Sequence, residues 1–302
     1  MVSKTLLGYV ALVAVLAAGG VALAATGTTE HPARNGRLPV VAAENAYGSI
    51  AAQIGGRHVA VTSILNDPTA DPHLFTADTT TGLAVARAAL VIQNGVGYDS
   101  FMGKLESAAP SSGRIVVTVA DVLGVHGAGA NPHLWYDVPR LDRVAAAIAA
   151  GLERADPRHR AAYRAGLRRF QRRLGPLRRE VDAIRARDGG APVAYTEPVP
   201  GYLVAAAGLR NRTPEAFSRA IEDGSEPTAA AVADMTGLLT GHAVRALLVN
   251  TQTVSPITAR IRSAAEAAGI PVVGVTETLP AGETLEAWQL RQTRALARAL
   301  GR

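Results

Sequence analysis

Two short stretches of the chain carry the same chemistry. Residues 71–75 read DPHLF and residues 131–135 read NPHLW, so His73 and His133 each follow a proline and precede a leucine and an aromatic. A proline before the histidine stiffens the loop, and the imidazole then loses less entropy on being fixed. A neutral imidazole with a rigid approach is a good ligand for Zn, Mn, Fe or Ni. A hydrogen-bonded loop histidine is the plainer reading of each copy, and near-repetition of five residues in unrelated loops argues against it. Glu197, in AYTEPVPGY, is a third candidate. Taken alone it could equally be a carboxylate facing a helix N-terminus. Two imidazoles and one carboxylate would make a cation site, with Glu197 offsetting part of the ion's charge. His31, His58, His159 and His242 have no partner pattern and read as surface or capping residues.

These residues need elements to place them. Short apolar runs bounded by turn signals read as strands at Leu38–Ala43, His58–Leu65, Leu90–Gln93 and Ile115–Val119, with helices at Glu44–Ile54 and Thr79–Ala88. Asp137 is expected to cap a helix starting at Val138. From Tyr163 the pattern changes: Tyr163, Leu167, Phe170, Leu174, Leu177, Val181 and Ile184 form a narrow apolar stripe whose register survives Gly175-Pro176. One long helix with a kink at the proline accounts for it. Alternation then resumes, with strands at Pro192–Thr196, Arg245–Val249 and Ile270–Val275 and helices starting at Gly201, Pro256 and Leu285. The expected fold class is α/β, with two open parallel-sheet lobes linked by one long helix. The boundaries are an N-terminal lobe over 38–140, a helical connector over 141–189 and a C-terminal lobe over 190–302. His73, His133 and Glu197 each follow a strand, where open α/β sheets bind ligands.

The chain has 302 residues, 48% hydrophobic and 19% charged, enough for two lobes with real cores. It has no cysteine, which excludes disulfides, thiolate metal sites, a cysteine nucleophile and attachment as a Cys-anchored lipoprotein. Residues 1–25 read as an export signal or N-terminal anchor: Lys4, an apolar run from Leu6, then Ala22-Leu23-Ala24 as a small-x-small cleavage pattern. Residues 26–37 read as a linker. The expected location is therefore the periplasm or cell surface. Formal charge is +6, and the arginines cluster between Arg154 and Arg187. They read as the solvated flank of the long helix rather than a nucleic-acid surface, since no exposed aromatics interleave them.

The pieces DPHLF, NPHLWYDVP, YTEPVPGY, LLVNTQT and VVGVTETLPAG, in that order, resemble the metal-binding solute-binding proteins of ABC importers, the zinc and manganese receptor family. The resemblance spans about residues 38–300. It implies two lobes bridged by a rigid helix, a transition metal held between them as transported ligand, no organic cofactor, and delivery by a monomer to a membrane permease. It assigns His73 and His133 to the two family histidine ligands and Glu197 to the third. It expects the fourth, an acid in many members, in the region reading VNTQTVSP, which has no carboxylate. Gln252, Thr251, water or a reaching Glu277 would have to complete the shell. The loop before His133 has only His126 where zinc transporters often carry a His-rich stretch.

Two other functions fit the residues less well. A secreted metal-dependent hydrolase would use Glu197 as general base, but H-E-x-x-H, H-x-x-E-H and G-x-S-x-G are all absent. A receptor for an organic solute such as a siderophore would leave the histidine pair incidental.

Overall fold

The computed structural model describes residues 36–127 and 129–301. The export-signal reading and most of the linker fall outside them. The first lobe is built from β1 (Leu38–Glu44), α1 (Asn45–Gly55), β2 (Val59–Leu65), α2 (Thr79–Arg87), β3 (Leu90–Gln93), α3 (Phe101–Ala108), β4 (Ile115–Thr118) and α4 (Val119–Leu123). Its four strands are all parallel, in the order β2-β1-β3-β4. The apolar runs of β1 and β3 are buried on both faces, as a sheet covered on two sides requires.

Three helices follow: α5 (Leu141–Ala155), which packs on α1, α4, β3 and β4 of the first lobe, then α6 (Arg160–Arg173) and α7 (Gly175–Asp188). Only Leu174 separates α6 from α7. The hydrogen bonds Leu174 N to Phe170 O (3.1 Å) and Arg178 N to Leu174 O (3.0 Å) carry the helix past the proline. The stripe faces inward: Tyr163, Phe170, Leu174, Leu177, Val181 and Ile184 are buried, and Leu167 is partly so. Gly166 lets α6 lie on α1, because a Cβ there would collide with the Ile54 carbonyl oxygen. Asp137 does not cap α5. A 3-10 turn over Val138–Arg140 intervenes, and the Asp137 carboxylate pairs with the Arg140 guanidinium. Pro139 and that ion pair use the residues the expected cap would have needed.

The second lobe repeats the plan with β5 (Pro192–Tyr195), α8 (Gly201–Ala206), β6 (Arg210–Asn211), α9 (Glu215–Glu222), α10 (Ala229–Thr240), β7 (Leu247–Asn250), α11 (Pro256–Ala267), β8 (Val272–Val275) and α12 (Leu285–Leu300). Its strands are parallel in the order β6-β5-β7-β8. The sequence reading passes over α3, α4, β6, α9 and α10.

One apolar cluster runs from Val40 in β1 through Phe170 and Leu177 in the connector to Trp288 and Leu300 in α12. The lobes are also stapled along one side of the groove between them. Asn45 and Leu279 exchange two hydrogen bonds of 2.8 Å, Gln252 Nε2 donates to Ala70 O (2.9 Å), and Thr278 Oγ1 donates to Asp67 O (3.2 Å). The two lobes thus share one apolar core and are joined directly by these hydrogen bonds.

Candidate metal centre

The first histidine motif follows β2. Asp71 accepts a hydrogen bond from His73 N (2.9 Å), which starts the single 3-10 turn Pro72–Leu74 and points the imidazole toward the groove. The His73 side chain keeps 26% of its surface exposed, and its Nε2 lies 3.7 Å from Glu277 Oε2.

The second motif is buried. Asn131 Oδ1 accepts from His133 N (3.0 Å) and sits 2.8 Å from His133 Nδ1. The Asn131 amide is oriented by its own Nδ2, which donates to Pro198 O (2.7 Å). Nδ1–H of His133 therefore faces an acceptor, and Nε2 is the nitrogen left for the groove. Asn94 Nδ2 holds Pro132 O (2.8 Å), and the Tyr98 and Trp135 rings meet the imidazole edge to face. Gly201 is needed here, since a Cβ would lie 2.8 Å from Asn131 Nδ2.

The acids come from the second lobe. Glu197 follows β5 and is 1% exposed; Asn250 Nδ2 donates to its Oε2 (2.5 Å), while its Oε1 is buried with no hydrogen-bond donor. Glu277 follows β8 and is fully engaged: Tyr98 OH (2.7 Å) and His133 Nε2 (3.2 Å) meet Oε2, and Asn250 Nδ2 (2.7 Å) meets Oε1. The residues expected as alternatives are used otherwise. Gln252 takes Glu277 N (2.6 Å) and Thr278 N (3.0 Å) on its carbonyl and donates to Thr278 Oγ1 (2.6 Å), so it shapes the turn that carries Glu277. Thr251 Oγ1 donates to Val275 O (3.3 Å).

Sequence reading missed Glu222, the last residue of α9. Its Oε2 is buried without a donor and lies 3.9 Å from His133 Nε2. Ligand atoms of His73, Glu197 and Glu222 all lie within 4.8 Å of one another. Bonds of about 2.0–2.2 Å to a transition metal allow opposite ligand atoms about 4 Å apart, so a closure of under about 1 Å would bring all three onto one ion. The missed signal is the pair Glu222-Asp223 at a helix C-terminus, the end where the peptide dipole disfavours negative charge.

Charge in the cluster is distributed unevenly. Burial alone would raise the Glu277 carboxyl, but the His133 hydrogen bond, the two imidazoles and the Tyr98 hydroxyl outweigh it and hold it down at about 2. Burial and then the neighbouring Glu277 charge push Glu197 up to about 8. Burial also raises Glu222. His133 loses hydration, which disfavours its charged form, yet Glu222, Glu277 and Glu197 together keep its pKa above the ordinary value. Protons thus occupy this cluster at neutral pH, and a divalent cation is the natural replacement for them.

A groove of about 940 Å³ leads from His73 and Glu222 to solvent between the lobes. Deeper in the first lobe, Glu44 is buried beside Asp99, and burial with the Asp99 charge raises it well above the carboxylate range. Asp99 accepts from Asn94 N (2.6 Å) and Gly95 N (2.9 Å), fixing the loop that carries Tyr98.

Comparison with known proteins returns one family. Residues 40–299 match the model described as ZnuA, zinc-uptake complex component A, periplasmic. The chain is 27% identical over 207 residues to a putative metal-binding protein of Treponema pallidum, covering 62% of this chain and 65% of that one. It is 27% identical over 147 residues to the manganese-binding lipoprotein MntA of Bacillus subtilis, covering 46% of this chain and 47% of that one. The chain thus spans about two thirds and about half of the length of these curated relatives. In fold it is similar to the periplasmic zinc-binding protein TroA of Treponema pallidum, with a TM-score of 0.74 at 21% identity, over 88% of this chain and all of that one.

Proposed function

The chain belongs to the ZnuA family of periplasmic zinc-uptake components, and on that premise we propose that it captures a divalent transition metal outside the cytoplasm and hands it to an ABC importer permease. The metal is cargo, and binding involves no bond-making in a substrate. In this reading the lobes are residues 38–140 and 190–302, with 141–189 as connector, and the protein works as a monomer. The ligands are His73, His133 and Glu197, completed by Glu277. One observation carries the proposal: imidazoles from one lobe and carboxylates from the other meet in the interlobe groove, with a Glu197 oxygen buried and left without a donor. An orphaned buried carboxylate oxygen is costly unless a cation or proton meets it.

Loading exchanges protons for metal. His133 gives up its Nε2 proton while Nδ1–H stays on Asn131, and Glu197 gives up the proton that its raised pKa of about 8 retains. Glu277 is already ionised and needs only to turn from His133 toward the ion. Because the lobes share a core and a stapled edge, unloading draws on loop movement at His73 and on contact with the permease. Among the described residues no helix is long and apolar enough to cross a membrane.

Thermal unfolding after chelation, with Zn²⁺ or Mn²⁺ added back, tests the reading. At a hundredfold excess over Kd, binding should stabilise the fold by about 2.7 kcal/mol. That gain should vanish in His133→Ala and shrink in His73→Ala. A gain that survives both substitutions would mean that these are not the ligands.

A further inference from the structure

Glu222 is the one acid of the cluster that a four-ligand shell does not require. Its position is unfavourable twice over. It ends α9, where the helix dipole repels an anion, and Asp223 follows it. Its Oε2 is buried with no donor. The cation nearest in its own helix, Arg219, is engaged by Glu215 at 2.6 Å. What Glu222 does face is both imidazoles and Glu197. It also lines the groove that opens to solvent, together with Ser218, Arg219 and Asp223, whereas none of the residues that staple the lobes does. A ligand on that side can approach an ion already seated on the fixed groups.

We infer that Glu222 is a fifth protein ligand, contributed by α9, and that it tilts the site toward ions that accept five or six oxygen-rich ligands, Mn²⁺ or Fe²⁺, relative to Zn²⁺. The inference rests on the metal-receptor reading above. Two imidazole nitrogens and three carboxylates form a harder and more crowded donor set than the four-coordinate tetrahedral shell that zinc favours. Zinc gains little from a fifth ligand, whereas manganese or iron would otherwise fill that place with water.

The test uses the full chain, stripped of metal, as wild type, Glu222→Gln and Asp223→Asn. Titration with Mn²⁺ and with Zn²⁺ gives both dissociation constants, and the visible absorption of bound Co²⁺ reports coordination number. In Glu222→Gln the Mn²⁺ dissociation constant should rise about tenfold or more, of the order seen when a metal site loses a supporting carboxylate, while that for Zn²⁺ changes less than about threefold. The Co²⁺ bands should intensify as five-coordination gives way to four. Asp223→Asn should match wild type in all three. Equal changes for Mn²⁺ and Zn²⁺, or an unaltered Co²⁺ spectrum, would overturn the inference. If wild type binds the ions and Glu222→Gln binds them equally well, only the fifth ligand falls. If wild type binds neither ion, the receptor reading itself fails, and this one with it.

Discussion

DPHLF and NPHLW differ little as strings and greatly in their surroundings. Around His73 the leucine of the motif, Leu74, is 80% exposed; around His133 the corresponding Leu134 is fully buried, as is Trp135. Asp71 reaches only the backbone of its histidine, whereas Asn131 holds both the backbone and the ring of its own and reaches across to the loop of Glu197. The first copy lies on a solvent-washed turn at the groove mouth. The second is wedged between Tyr98, Trp135 and the second lobe. On the proposed ligand set, His133 is the buried, firmly held histidine and His73 the one at the solvent edge, a division set by burial rather than by the motif.

The largest consequence concerns the two histidines themselves. On the proposed ligand set, His133→Ala removes a ligand and also the hydrogen-bond partner of Glu277, so metal affinity should fall about a thousandfold or more, equivalent to about 4 kcal/mol. On the same set, His73→Ala removes the more exposed ligand and should cost roughly a hundredfold. Isothermal titration decides, and equal losses would erase the distinction. Next come the leucines: Leu134→Ala should destabilise the apo protein by about 3 kcal/mol through a core cavity, and Leu74→Ala by less than about 0.5 kcal/mol, read from chemical denaturation. The polar partners follow. Asn131→Ala frees the His133 ring and should weaken metal binding about 10–100-fold; Asp71→Ala loses only a turn bond and should weaken it within about threefold.

The smallest effect is one of pH on the metal-free protein. Glu197 binds its proton more tightly folded, at about 8 against an ordinary 4.5. Its contribution to stability is complete below pH 4.5 and is lost as pH rises toward 8, at up to about 1.4 kcal/mol per unit. Glu222 and His133 are raised too and act in the same sense. Glu277 acts oppositely, but its contribution is lost only as pH falls below about 4.5 toward 2. The apo protein should therefore melt higher at pH 5.5 than at pH 8, and saturating metal should narrow that gap. An apo melting temperature that rises between those values would contradict the assigned proton positions.

Much of this was legible in the chain, for identifiable reasons. The strands of the first lobe are short aliphatic runs between turn residues, and their ends fall within a residue or two of expectation. The long-helix stripe is read off its spacing because each stripe residue packs on one face. The second lobe was harder. In α10 the run AAAVADMTGLLT has apolar residues on most faces, so no period stands out. The two-residue β6 is too brief for any pattern, and the eight-residue α9 offers only the single i,i+4 pair Phe217 and Ile221, so it passes unread and Glu222 with it. The family resemblance points to an acid in the region VNTQTVSP, which has none. Gln252 instead clamps the backbone of the next loop and presents Glu277 from it, a long-range pairing that strand periodicity does not encode.

Anomalous diffraction from crystals soaked in Mn²⁺ or Zn²⁺ tests the central claim most directly. The account predicts one strong peak in the interlobe groove, within about 2.0–2.3 Å of His73 Nε2, His133 Nε2 and carboxylate oxygens of Glu197 and Glu277. A peak held by other residues, or none in the groove at saturating metal, would contradict it.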